Sequence, residues 1–135
     1  MSKVAVVYWS GTGNTEAMAK AVAKGASGEL IPVSAFNAAK AAAYDAFAFG
    51  CPAMGSEALE DSEFEPVFEE VKPVIAGKPV ALFGSYGWGD GEWMRSWEAS
   101  CADAGITLAA ESVICNDAPD DEALAQCKAL GAALA

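Results

Sequence analysis

The 135-residue chain reads as an α/β domain: a parallel sheet with helices on both faces. Three observations carry this. Apolar runs alternate with helical patterns along the whole chain. The first run, Val4-Ala5-Val6-Val7-Tyr8, is continuously apolar, without the polar alternation of a half-exposed strand, which suits a strand buried on both faces. A loop of hydroxyls and glycines, Ser10-Gly11-Thr12-Gly13-Asn14-Thr15, joins that run to a helix. Regular β-then-α alternation implies right-handed crossovers, and ligands of such sheets bind at the carboxyl ends of the strands beside the switch point of strand order.

The elements follow in order. After the first strand, Met18, Ala19, Val22 and Ala23 recur at helical spacing until Gly25 and Gly28 break the pattern. Leu30–Val33 is a short second strand, and the alanines from Ala38 to Ala43 favour a helix. Ala46–Gly50 is the third strand. A loop around Pro52-Ala53-Met54-Gly55 leads to a helix from Phe64 to Lys72, with Pro66 tolerated in its first turn. Val80–Phe83 is strand four. A glycine- and aromatic-rich loop from Gly84 to Gly91 precedes a helix over Glu92–Asp103, then strand five, Leu108–Cys115, and a last helix over Asp121–Leu134. The pattern shows no repeat or linker, so residues 1–135 form one domain.

Composition removes several classes of function. Hydrophobic residues make up 53% of the chain, which excludes intrinsic disorder. The net charge of −11 repels a phosphate polymer, so no nucleic acid is expected as a partner. The chain has no histidine, which removes Ser-His and Cys-His nucleophile pairs and the usual neutral-pH acid/base group; no catalytic residue is expected. Cys51, Cys101, Cys115 and Cys127 have no C-x-x-C spacing, so no metal site is expected and each reads as a small buried residue. No apolar run approaches the roughly eighteen residues of a membrane span. The expectation is a soluble cytoplasmic protein with reduced thiols and no membrane partner.

The Ser10–Thr15 loop stands where orphan amides and the helix dipole favour an anion, and its residue types suit a phosphate. It holds no Lys or Arg, so a nucleoside-triphosphate loop does not fit; Glu16 stands where a dinucleotide fingerprint needs its third glycine. Hydroxyl and glycine residues also serve as plain helix caps. Six in a row after a central strand favour the anion site.

The loop matches the pattern [TS]-x-T-G-x-T, and the stretch Val7 to Glu16 resembles that of the short-chain flavodoxins of anaerobic bacteria. Gly50-Cys51-Pro52-Ala53-Met54-Gly55-Ser56-Glu57 and Leu82 to Met94 resemble two further blocks of that family. The resemblance implies a flavodoxin-like three-layer α/β/α fold with strand order 2-1-3-4-5 and one non-covalent FMN. It places the phosphate on Ser10, Gly11, Thr12, Gly13, Asn14 and Thr15, with Trp9 covering phosphate and ribityl. Pro52 and Ala53 lie near the ribityl chain, Met54 on the inner face of the ring and Trp88 on the outer face. Gly55, which takes positive φ readily, is expected to flip its carbonyl toward the protonated N5 of the semiquinone. Ser56 belongs to the same loop, and Glu57 is placed near the flavin N3–H. Backbone groups of Ser85, Tyr86, Gly87, Trp88 and Gly89 are expected along the carbonyl edge, with Tyr86 and Trp93 equally suited to loop packing. The stretch Ala23 to Ser34 is several residues shorter than in similar flavodoxins, and strand five has no room for the insertion of the long-chain subgroup.

The implied function is a low-potential one-electron carrier cycling between semiquinone and hydroquinone, a monomer that meets redox partners bearing basic docking patches. An FMN-dependent quinone or flavin reductase is the alternative; it needs space over one flavin face, against which Met54 and Trp88 argue. A response-regulator-like receiver needs an acidic pocket after strand one and an Asp ending strand three, where this chain has Tyr8-Trp9-Ser10 and Gly50-Cys51. Replacing the stacking ring, Trp88→Ala, is expected to weaken FMN binding by about tenfold or more in a flavin fluorescence titration.

Overall fold

The strands β1 (Val4–Tyr8), β2 (Glu29–Pro32), β3 (Ala46–Gly50), β4 (Val80–Tyr86) and β5 (Val113–Asn116) are all parallel and lie in the order β2-β1-β3-β4-β5. The helices are α1 (Asn14–Ala26), α2 (Ala38–Ala41), α3 (Phe64–Ile75), α4 (Glu92–Asp103) and α5 (Asp121–Leu134). This computed structural model describes residues 3–11, 13–54, 59–87 and 89–135.

The period of two in a strand divides the core. Val4 and Val6, Ala46 and Ala48, and Ala81 and Phe83 face α1 and α5, against Met18, Ala19, Val22, Cys127, Leu130 and Leu134. Ala5 and Val7, Phe47 and Phe49, and Val80 and Leu82 face α3 and α4, against Phe64, Phe68, Val71, Ile75, Trp93 and Trp97. The second side is aromatic: Phe49 meets Phe68 edge-on at 5.1 Å, and Trp97 meets Phe64 and Phe68 edge-on at 5.4 and 5.6 Å. Trp97 Nε1 is buried without a hydrogen-bond partner among the described residues.

Several boundaries differ from the sequence reading, each for a local reason. Gly25 does not end α1. A Cβ there would lie 1.9 Å from the Lys128 carbonyl oxygen, and one at Gly131 would lie 2.0 Å from that of Val22, so the two glycines let α1 and α5 touch backbone to backbone. The helix ends instead at Ala26, with Ser27 left-handed and the Gly28 amide donating to the Ala23 carbonyl at 2.9 Å. The short connection to β2 is this cap. Val33 leaves β2 for a 3₁₀ turn, Val33–Ala35, straight after Pro32, which has no amide to extend a ladder. The alanine helix is a single turn, capped by the Asn37 side chain at 2.8 Å. Tyr44, buried and donating to Glu29 Oε2 at 2.6 Å, turns the chain into β3 there, so tertiary anchoring overrides alanine propensity.

Helix α3 runs past Lys72 and through Pro73 because Val71 and Ile75 are fully buried. Strand β4 continues to Tyr86 and β5 begins only at Val113, since their ladder runs from Phe83↔Val113 to Tyr86↔Asn116; Leu108 makes one isolated bridge to Val80. Of the four free cysteines, Cys51, Cys101 and Cys127 are buried, but Cys115 is half-buried on edge strand β5, correcting its assignment to the interior.

Gly131→Ala is expected to lower stability by about 1–3 kcal/mol through overpacking against Val22, although alanine is the better helix former by about 1 kcal/mol. The urea midpoint reads the loss, at unchanged transition slope.

Candidate functional site

In a parallel sheet every strand ends at the same edge. Between β1 and β3 the strand order reverses, so the chain leaves these neighbours toward opposite faces and a crevice opens. There lies a cleft of about 260 Å³ lined by Trp9, Gly11, Asn14, Pro52, Ala53, Met54, Ser85, Tyr86, Gly87 and Asp117. Nine of these ten lining residues are among those singled out in the sequence.

One end of the cleft is the N-terminus of α1. Gly13 takes φ +94°, a left-handed conformation that glycine adopts without strain, and its amide donates to Ser10 Oγ at 3.0 Å. The first-turn amides that follow have no carbonyl partner within the helix. Thr15 is 1% exposed, and its hydroxyl has no hydrogen-bond partner among the described residues. No Lys or Arg is among the described lining residues, so what this end offers an anion is amides and hydroxyls.

The floor and one wall come from β3 and the loop after it. The Ala53 amide donates to the Ser85 carbonyl at 3.0 Å, fixing Pro52 to Met54, all half-buried, beside the end of β4. Trp9 is half-buried; its Nε1 donates to Glu63 Oε1 at 3.2 Å, which ties the loop after β1 to the start of α3. Farther along, Glu60 is buried at 4% exposure. Its Oε1 accepts the Glu63 and Phe64 amides at 2.7 and 2.9 Å, and its Oε2 accepts the Ser62 amide at 2.8 Å and the Ser62 hydroxyl. Burial alone would raise the pKa of this carboxyl, but the bonds from Ser62, Phe64 and Glu63 outweigh it and hold the group at about 2.

The opposite wall is the β4–β5 edge. Tyr86 is half-buried, its ring 5.5 Å from that of Trp93, and its carbonyl accepts the Asp117 amide at 2.8 Å and Asn116 Nδ2 at 3.3 Å. Asp117 sits in a left-handed turn, φ 56°.

Sequence reasoning missed Asp117 and Glu60. For Asp117 the polar turn Asn116-Asp117-Ala118-Pro119-Asp120 at a strand's carboxyl end was the available signal. Glu60 had none, being one acid in an acidic stretch. Trp93 is 1% exposed and packs in the core. Gly89, with φ +86°, is not among the described lining residues. Thr12, Gly55, Ser56, Glu57 and Trp88 lie outside the described residues.

The family model described as Flavodoxin matches residues 6–131. The chain is 47% identical to the flavodoxin of Megasphaera elsdenii, covering 98% of each, and 50% identical to that of Clostridium beijerinckii, covering 86% of this chain and 88% of the relative. Among solved structures, two-electron reduced Megasphaera elsdenii flavodoxin superimposes with a TM-score of 0.89 at 46% identity, over 97% of both chains.

The Glu60 environment has a pH signature. A carboxyl held below its ordinary 4.5 stabilises the fold above that value, and the contribution disappears as pH falls toward about 2. Glu60→Gln is expected to be less stable than wild type at neutral pH, with the gap in urea midpoint closing between about pH 4.5 and pH 2.

Proposed function

Because the chain belongs to the flavodoxin family of small FMN-binding electron carriers that act with redox partner proteins, we propose that its cleft is the FMN site and that the carrier works at low potential. One observation supports this most directly. The Thr15 hydroxyl is buried at the N-terminus of α1 without a partner among the described residues, a cost that a bound phosphate oxygen removes. The residues present fit that group: Ser10, Gly11, Thr12, Gly13, Asn14 and Thr15 would hold the phosphate through amides and hydroxyls. Trp9, Pro52 and Ala53 would flank the ribityl chain. Met54 and Trp88 would cover the two ring faces, and Gly55, Ser56, Glu57 and the stretch Ser85, Tyr86, Gly87 and Gly89 would meet its edges. Thr12, Gly55, Ser56, Glu57 and Trp88 enter on the family resemblance alone.

Bound FMN supplies a centre that takes and gives electrons one at a time, at low potential between its one-electron- and two-electron-reduced forms. The protein's part is to bind, exclude water and set the field. Trp9, Pro52, Ala53, Met54 and Tyr86 give the cleft apolar walls. Asp117 adds negative charge at its rim, within a chain of net charge −11. Each carboxylate at about 10 Å in high dielectric disfavours an added negative charge by about 0.4 kcal/mol, so several of them lower the potential. The same field steers the protein onto basic docking patches of its partners, at rates that fall as salt rises.

A carrier of this kind needs no substrate site of its own, and with no histidine in the chain the reading is of an electron-transfer protein rather than an enzyme. The reductase alternative is not favoured. No helix among the described residues is long and apolar enough to cross a membrane; a monomeric, single-domain cytoplasmic carrier is the reading that accords with this.

Stepwise anaerobic reduction of the purified protein tests the proposal. Flavin bands, followed by a long-wavelength absorbance that rises and then disappears, without turnover of NAD(P)H or quinone, is the expected course. A colourless protein that does not take up FMN, or rapid NAD(P)H turnover, would overturn it. Thr15→Val is expected to weaken FMN binding by about tenfold, as loss of a hydrogen bond to a charged group implies, with an unchanged far-ultraviolet spectrum.

A further inference from the structure

The sheet has two edges, and the chain treats them differently. At the β2 edge the strand carries a charge at one end, Glu29, and Pro32 at the other, both of which discourage further pairing. The β5 edge, Val113-Ile114-Cys115-Asn116, has neither charge nor proline, and among the described residues β5 pairs with β4 alone. The Asp117 amide donates to the Tyr86 carbonyl at 2.8 Å. Alternate residues face the neighbour in a parallel ladder, so Val113 and Cys115 also turn toward β4. The backbone amides and carbonyls of Ile114 and Asn116 therefore point outward, to the side where no strand lies.

Two neighbouring cavities, of about 280 and 370 Å³, lie along this edge and share Ile114 and Gln126 in their walls. Ala118 and Ala123 add apolar surface to the first, which Asp120 and Glu122 also line; Glu111 lines the second. No Lys or Arg lines either cavity among the described residues. The edge leads straight to the cleft. Asn116 and Ala118 line the first cavity, and Asp117 between them lines the cleft itself.

We propose that a redox partner docks on the free edge of β5, adding an extended segment of alternating basic and apolar side chains as a sixth strand. The inference rests on the reading of the chain as an acidic carrier with basic partners. Main-chain bonds to Ile114 and Asn116 supply affinity, and pockets for alternate side chains supply selectivity. Successive side chains of an added strand point to opposite faces. Every second one reaches the two cavities beside α5, where Glu111, Asp120 and Glu122 favour a cation. The others lie beside Ile114, whose side chain packs toward Gly91 and the α4 side, and there an apolar group fits. A second copy of this chain is the wrong occupant, because each copy brings a net charge of −11 to the contact. A segment seated on β5 ends beside Asp117, which holds the partner at the rim of the cleft.

The probe is a short synthetic peptide of alternating lysine and valine, titrated into FMN-reconstituted protein, with a glutamate and valine peptide as control. At saturation, solvent exchange of the Ile114 and Asn116 amides is expected to slow by about tenfold or more, while the amides of β2 keep their rates. Ile114→Pro removes an outward donor and no ladder bond, a change that edge strands tolerate, and is expected to weaken binding about tenfold. Glu111→Gln combined with Glu122→Gln, both at exposed positions, is expected to weaken it about threefold at low salt, a difference that fades as salt rises. This pair decides the matter if Ile114→Pro does not fold. Unchanged exchange at Ile114 and Asn116, equal affinity for the glutamate control, or full affinity in Ile114→Pro overturns the docking edge. So does a wild-type dimer that Ile114→Pro dissolves, since it gives the edge to a second copy. A wild-type chain that takes up no FMN overturns the carrier reading, and the redox partner with it; failure of the edge alone shows as FMN uptake without protection of these two amides.

Discussion

Strand β1 pairs along both edges, with β2 and with β3, and both of its faces are covered by helices. A strand so enclosed can leave the sheet only through its end, and since the order reverses beside it, its exit and that of β3 diverge. The crevice is the geometric remainder of a parallel sheet with a switch point. The Ser10 loop, the Pro52 loop, the end of β4 and the turn after β5 reach it because all four strands point the same way.

The two faces of the sheet meet their helices by different means. On one side alanines on β3 and β4 present a shallow surface, and α1 and α5 approach until Gly25 and Gly131 are all that fits. On the other, Phe49 meets Phe64 and Phe68 edge-on, and Trp97 meets the same two rings edge-on, so bulk rather than proximity fills the space. The first arrangement packs α1 tightly on α5, which matters because the N-terminus of α1 forms one end of the cleft. The second holds α3 and α4, whose first turns anchor the loops on the far wall.

Around Glu60 and at the start of α1, backbone amides rather than cations face the place for a negative charge. Glu60 remains ionised in the interior because three amides and a hydroxyl converge on it. The start of α1 offers the same kind of environment to an external anion. An amide lowers the cost of a negative charge without carrying a full charge of its own, so the overall field of the molecule stays negative around a helix start whose amides suit a phosphate. That combination suits a carrier that must hold an anionic group firmly and yet disfavour further reduction.

Much of this was legible in the residues. The uninterrupted apolar run of β1, the hydroxyl-glycine loop and the strand-helix alternation determined the fold class and pointed to the cleft at the switch point, because burial on both faces and the orphan amides of a helix start are local consequences of residue type. Tertiary packing decided what local propensity could not: that Gly25 lies inside a helix, since its reason for being glycine is the Lys128 carbonyl of another helix; that a stretch with five alanines makes one turn, since Tyr44 must reach Glu29; and that β5 starts at Val113, since its ladder follows the end of β4. The roles of Asp117 and Glu60 belong with these. A carboxylate shows its function only through which distant groups converge on it, and such convergence is a property of the folded chain.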